Sequence, residues 1–246
     1  MPRAYAPVMT LATVPGTTLL LALVGGVWAL LRERRSDYAL WAVSIGVSYA
    51  PWLSSATPIF GGTKHWLCAY PFLCLFAGVG FTRVVAAVKS LAPRLARPAL
   101  LGACVLAPSV VMALHAHPFG LSAYTPLVGG APGAATLGLN RTFWGYTTES
   151  LAPFINRRAP RRGSVYVHDT ALASFAMFEA DGRLRRDLRG TLDIAGSDLA
   201  LYHHEPHMSR VEQQIWLAYG SVAPDAIATF DGVPVAWAYA RRKRER

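Results

Sequence analysis

Apolar residues fall into four long runs in the first half of the chain and into short, alternating or helical-period groups in the second. The runs cover about residues 15–31, 38–57, 66–88 and 98–114, each with few or no charges. Stretches of this length match the hydrocarbon thickness of a bilayer when helical. The first is closed by Arg32-Glu33-Arg34-Arg35, a stop-transfer pattern with no small-residue cleavage site, so it reads as a helix that stays in the membrane. Pro51 is placed to kink the second run. Trp66 and Tyr70 open the third, where aromatic rings favour the membrane–water interface. Arg83, in its last turns, is expected to snorkel to the headgroups or to face the bundle.

From 117 the pattern changes. Residues 117–148, rich in Gly, Pro, Ser, Thr and aromatics, read as a structured membrane-proximal outer loop. Residues 149–246 read as a small α+β domain. Its expected elements are helices over 149–158, 171–180 and 208–219 and strands over 164–168, 198–202, 226–230 and 233–240. The last two pair across Asp231-Gly232, a strong hairpin signal, and Gly220 stops the last helix. The expected fold is therefore a membrane all-α helical bundle of about four transmembrane helices followed by a small α+β extramembrane domain.

Composition agrees: 53% of the 246 residues are hydrophobic and 15% charged, which excludes an ordinary soluble domain. Residues 1–116 carry nine Lys/Arg against two Asp/Glu, and residues 117–246 fifteen against twelve, so the excess of positive charge lies beside the apolar runs. That distribution favours an anionic membrane face over nucleic acid. Placing Arg32, Arg34, Arg35 and Lys89, Arg94, Arg97 in the cytoplasm puts the loop with Lys64 and His65, and everything after residue 117, on the outer, periplasmic face of an inner membrane. Cys68, Cys74 and Cys104 all lie in apolar runs and read as small hydrophobes.

The stretch with most chemistry is IFGGTKHWLCAYPF, residues 59–72. Read alone, Lys64 is a solvated loop cation. Its company favours an anion: Gly61-Gly62 lets backbone N–H groups approach closely, Lys64 is a point charge for a phosphate, His65 can donate to a phosphate oxygen, and Trp66 supplies an apolar wall. His203, His204 and His207 beside Glu205 invite a metal reading. The zincin pattern fails there, since residue 208 is Met, and Pro206 interrupts a helix through the set, so no metal site is expected. His168-Asp169-Thr170 at a strand end reads as a helix start capped by Asp169 or Thr170 rather than as a catalytic dyad. Between Asp37 and Glu149 there is no Asp or Glu at all. The spans thus supply no carboxylate to take a proton or hold a metal ion.

The segments FGGTKHWLCAYPF, HPFGLSAYTPLVGGAPGAATLGLNRTFWGYTT, ALYHHEPHMSRVEQQIWLAYG and FDGVPVAWAYARR together resemble the C-terminal portion of bacterial protein-mannosyltransferase-like glycosyltransferases, family 39 with a GT-C fold, over about residues 38–240. The resemblance implies an enzyme taking a sugar from a polyprenyl-phosphate donor on the outer face. It implies donor-side roles for Lys64, His65, Trp66 and Tyr70, and acceptor-side roles for Tyr124 and Trp144. The family's acidic catalytic loop, with any divalent metal of the complete enzyme, has no counterpart here. Its usual Tyr-Asn pair appears as Tyr124-Thr125, and its proline after the tryptophan as Cys68. No catalytic residue is therefore assigned, and the chain is expected to be inactive alone, with an upstream half as partner. The alternative expectation is a non-catalytic membrane-anchored binding or assembly module.

Overall fold

The computed structural model describes residues 3–33, 35–58, 61–205 and 208–241. Arg34, Pro206, His207 and the tail from Arg242, all used in the sequence reading, lie outside them. The chain divides into two units, residues 1–118 with 123–130, and residues 119–122 with 131–246.

The first unit is helical: α1 (Tyr5–Thr13), α2 (Gly16–Trp28), α3 (Ser36–Tyr49), α4 (Tyr70–Leu91) and α5 (Pro98–Ala116). Among the described residues three stretches are long and apolar enough to cross a membrane: Gly16–Glu33, Leu67–Leu91 and Pro98–Ala116. The second apolar run behaves differently. It forms a fourteen-residue α3, then a short 3-10 turn over Ala50–Leu53. Pro51 explains the change, since it has no N–H to bond the carbonyl of Val47 and its ring crowds that carbonyl. At 1.5 Å per residue α3 is about 21 Å long, short of the roughly 30 Å hydrocarbon core.

Packing in this unit centres on α2 and α4, whose backbones touch. A Cβ placed on Gly25 would lie 1.9 Å from the Phe76 carbonyl oxygen, and one on Gly80 2.1 Å from that of Leu21. Only glycine permits so close an approach, the usual means of joining helices where lipid removes the hydrophobic drive between them. Leu21, Ala22, Ala29, Tyr38, Phe76 and Ala77 form the buried cluster around the crossing. Leucines such as Leu20, Leu23, Leu106 and Leu114 face outward, as lipid-facing positions should.

The two helices run parallel. Thr13 and Tyr70 hydroxyls approach to 3.5 Å at one end, and at the other Arg83 pairs with Glu33 at 3.2 Å. The Arg83 guanidinium also lies 3.2 Å from the Trp28 ring centre, which is how a cation is accommodated at the end of an apolar helix. The intervening α3 returns the chain: it starts beside Glu33, and its last residue, Tyr49, shares a 2.5 Å hydrogen bond with Thr10. α1, which the hydropathy pattern left unassigned, packs at this same end.

The second unit holds a mixed five-stranded sheet: β1 (Ser164–Tyr166), β2 (Arg189–Thr191), β3 (Leu199–His203), β4 (Ala226–Phe230) and β5 (Val233–Ala240), in the order β2-β1-β3-β5-β4. β1 pairs in parallel with β2 and β3, while β5 is antiparallel to β3 and β4. The β4–β5 turn has positive φ at both Asp231 and Gly232, the conformation that matches the twist of a two-residue hairpin. Helices α7 (Thr148–Arg158), α8 (Asp169–Ala180) and α9 (Ser209–Tyr219) complete it, with a short α6 (Gly130–Thr136) in the stretch expected as loop. Tyr166, Ala200, Tyr202 and Tyr239 pack with Ile215 and Tyr219 of α9. By strand alternation Val165, Leu199, Leu201 and His203 face the opposite side, where Thr148 of α7 meets His203.

Candidate functional site

In the helical unit the sequence-predicted residues gather at one end. Gly61 and Gly62 both have positive φ, 84° and 64°, and turn the chain into a short 3-10 segment, Gly62–His65, that leaves Lys64 exposed. The His65 ring is half-buried against Trp52, centre to centre 4.3 Å. Trp66 is fully buried, with Tyr5 edge-on at 6.4 Å and Tyr49 at 6.0 Å. Its ring therefore supports the turn from within, and its Nε1 has no hydrogen-bond partner among the described residues. Tyr70, half-buried, opens α4. Tyr124 is buried in a segment fastened to α1, where the Thr125 N–H donates to the Ala12 carbonyl at 2.7 Å and the Thr125 hydroxyl to that of Leu11 at 2.9 Å. Both this segment and the Lys64 turn rest on α1, so Lys64, His65, Tyr70 and Tyr124 share the end of the bundle opposite the Glu33–Arg83 pair.

An apolar groove of about 550 Å³ runs along the same helices toward the Glu33 end, lined by Leu19, Leu23 and Val27 of α2, Leu30 and Leu31 just after it, Ile45 of α3, and Leu73 and Phe76 of α4. Leu73 is one turn from Tyr70. A cationic turn and an apolar groove on one bundle suit a ligand with an anionic head and a hydrocarbon chain.

Trp144, expected with Tyr124 on an acceptor side, belongs to the other unit. It adopts φ 51° and is 38% exposed. Its backbone links two elements: the carbonyl accepts the Ser174 hydroxyl at 2.6 Å, and the N–H donates to the Glu205 carboxylate. The next residue, Gly145, is required by packing, since a Cβ there would lie 2.2 Å from that of Ala171.

Around this turn the carboxyl ends of β1 and β3 bring together groups distant in sequence. His168 follows β1, its Nδ1 lying 2.6 Å from Asp169 Oδ1. The same Nδ1 lies 3.1 Å from the Thr170 hydroxyl and accepts the Thr170 N–H at 3.4 Å, which makes His168 the N-cap of α8. Asp169, expected with Thr170 as the cap, is instead the first residue of α8, and its Oδ1 also accepts the Thr170 N–H at 2.6 Å. His203 ends β3, 1% exposed, its Nε2 bonded to the Thr148 hydroxyl at 2.8 Å and its Nδ1 without a partner among the described residues. Burial, with help from the neighbouring His168, lowers its pKa to about 4, so the ring is neutral. Glu205 is also buried, and burial raises its pKa to about 7; the Trp144 N–H opposes that shift and the Asp169 carboxylate adds to it. His204, half-buried near Trp237, is held neutral by burial and by Arg141.

Sequence reasoning treated Glu205 only as part of a failed metal motif. The available signal was a glutamate two residues beyond an apolar strand. Among the described residues no three His, Cys, Asp or Glu side chains converge on a metal position. No family model, curated protein or solved structure matches this chain.

Proposed function

We propose that this chain is the donor-binding part of a polyprenyl-phosphosugar-dependent glycosyltransferase of the inner membrane, with the second unit on the periplasmic face. The observation that carries the reading is the Lys64 turn at one end of a bundle that also offers the 550 Å³ apolar groove. Lys64 compensates the phosphate, the glycine turn brings backbone close to its oxygens, and the groove takes the isoprenoid chain. Negative charge grows on a phosphate as its bond to the sugar breaks, so a fixed ammonium there favours the transition state over the ground state. Because residues 38–148 contain no carboxylate, the base that takes the acceptor proton comes from another polypeptide segment. That same absence favours, as a second reading, a binding or assembly module without catalysis of its own.

The test uses the full chain in nanodiscs and a labelled polyprenyl phosphate. Wild type binds it in preference to the matching polyprenol and to a bulk phospholipid, and Lys64→Ala weakens binding about tenfold, the worth of one charge-assisted contact. Equal affinity for the phosphate and the alcohol, or an undiminished Lys64→Ala variant, overturns the proposal.

A further inference from the structure

Two short segments of the second unit, residues 156–163 and 183–189, hold eight arginines between them against one acid, Asp187. The fold brings them together beyond the amino ends of β1 and β2, where Ser164 pairs with Arg189. Arg185 is the fastener. Its guanidinium donates to the carbonyls of Asn156 and Ala159 at 2.9 Å and of Pro160 at 2.7 Å, and it is paired with Asp187. Asp187 Oδ2 in turn accepts the Arg162 N–H at 2.8 Å, and the Arg189 N–H donates to the Gly163 carbonyl at 2.9 Å.

Fastening uses up the nearby carboxylates. The Arg185 guanidinium, followed by the Arg162 N–H, holds the Asp187 carboxyl well below the usual carboxylate range, and Glu149 is paired with Arg183. Arg157, Arg158, Arg161, Arg162, Arg186 and Arg189 are exposed and make no ion pair among the described residues. Part of this charge has a local use: Arg157 and Arg158 suit the carbonyl end of α7, and Arg189 blunts an edge strand. Arg161, Arg162 and Arg186 have neither role. Like charges gathered at one place repel, and an external anion relieves them.

The surface also limits its partner. Ala159, Leu184 and Leu188 are buried, which leaves Pro160 as the one exposed apolar residue of the two segments, so the apolar anchor of a protein interface is lacking. Neither segment contains an aromatic residue, so the stacking platform of a single-strand binder is lacking too. What remains is contact with phosphates, for which the planar fork of arginine is suited. The same polypeptide carries stretches able to cross a membrane, so lipid headgroups are the phosphates at highest local concentration. We propose that this arginine surface rests on the headgroups of an anionic bilayer. The inference uses the membrane-length helices and needs nothing of the polyprenyl-phosphate reading.

Co-sedimentation of the full chain, held in phosphatidylcholine nanodiscs, with vesicles of phosphatidylglycerol or of phosphatidylcholine tests this. Capture by the phosphatidylglycerol vesicles alone is expected, and it weakens as salt is raised. A basic residue near a charged surface is worth about fivefold, so Arg161→Gln, Arg162→Gln and Arg186→Gln together weaken capture about a hundredfold. Arg35→Gln, Lys89→Gln and Arg94→Gln, an equal loss of charge from the helical unit, leave it nearly unchanged. Hydrogen exchange at β3 matching wild type shows that the exposed arginine changes leave the fold intact. No capture, equal capture by both vesicles, equal weakening by the two triple variants, or tighter binding to a single-stranded oligonucleotide or to polyglutamate than to phosphatidylglycerol overturns the inference. Polyprenyl phosphate binding, which the arginine changes leave intact, separates it from the donor proposal.

Discussion

Replacing Glu205 by Gln removes one titration from the second unit while keeping an acceptor for the Trp144 N–H, and the consequence for stability follows from the site. Burial raises the carboxyl from 4.5 to about 7, so between those values the folded chain holds a proton that the unfolded chain has lost. The stability linked to Glu205 is full below pH 4.5 and is lost as pH rises through 7. At about 1.4 kcal/mol per pKa unit the loss is about 3 kcal/mol. His203 acts in the opposite sense: its pKa falls from 6.5 to about 4, so its contribution is full above pH 6.5 and is lost as pH falls through 4, again by about 3 kcal/mol. Between pH 4.5 and 6.5 the two slopes cancel, and this pair leaves the wild-type profile nearly flat.

Glu205→Gln uncovers the histidine. Its stability rises with pH from 4 to 6.5, and relative to wild type it gains about 3 kcal/mol between pH 4 and pH 8. The raised pKa of Glu212 and the lowered one of His204 persist in both proteins and drop out of the difference. Hydrogen exchange at the Leu201 and Tyr202 amides of β3, corrected for intrinsic rates, reads the opening free energy of the sheet in the full chain. Parallel pH profiles for wild type and Glu205→Gln would refute the buried-carboxyl argument.

Gly80→Ala forces α2 and α4 apart by about 1 Å, forfeiting a quarter to a half of each dispersion contact along the crossing, and lowers the melting temperature of the solubilised chain. Gly46→Ala and Gly78→Ala, where a Cβ meets nothing within 4 Å, leave it unchanged or raised. Thr148→Val takes from His203 its hydrogen bond at Nε2 and costs about 1–3 kcal/mol, seen as faster exchange at β3, whereas Thr148→Ser retains most of the stability.

Local signals carried much of the architecture. Asp231-Gly232 specified its hairpin because the turn demands positive φ at two adjacent residues, and Gly220 specified the end of α9 by the same conformational freedom. Lys64 and His65 were legible because one short turn presents both. By contrast, β2 is the three residues Arg189–Thr191, with no apolar alternation, and it is a strand only because β1 lies alongside. The cluster at the ends of β1 and β3 was hidden for the same reason: Asp169 and Glu205 are neighbours through the parallel pairing of β1 with β3, and no spacing rule within one element encodes that adjacency. Trp66 read as a wall for a ligand because aromatic residues favour membrane interfaces, but packing against Tyr5 and Tyr49 from other helices turned its ring inward.

The charge pattern sets an expected orientation for the bundle, and the helix directions constrain how the chain runs within it. Charge alone assigns the end with Arg32, Arg35, Lys89 and Arg94 to the cytoplasm. Geometry adds the path: α2 and α4 are parallel, with Thr13–Tyr70 at one end and Glu33–Arg83 at the other, so α3 returns the chain between them although it is only fourteen residues long. A short return helix in a bilayer is tolerated when the chain continues as a polar turn at the interface or the membrane thins. Here the continuation is the 3-10 turn at Pro51 leading toward Gly61 and Lys64.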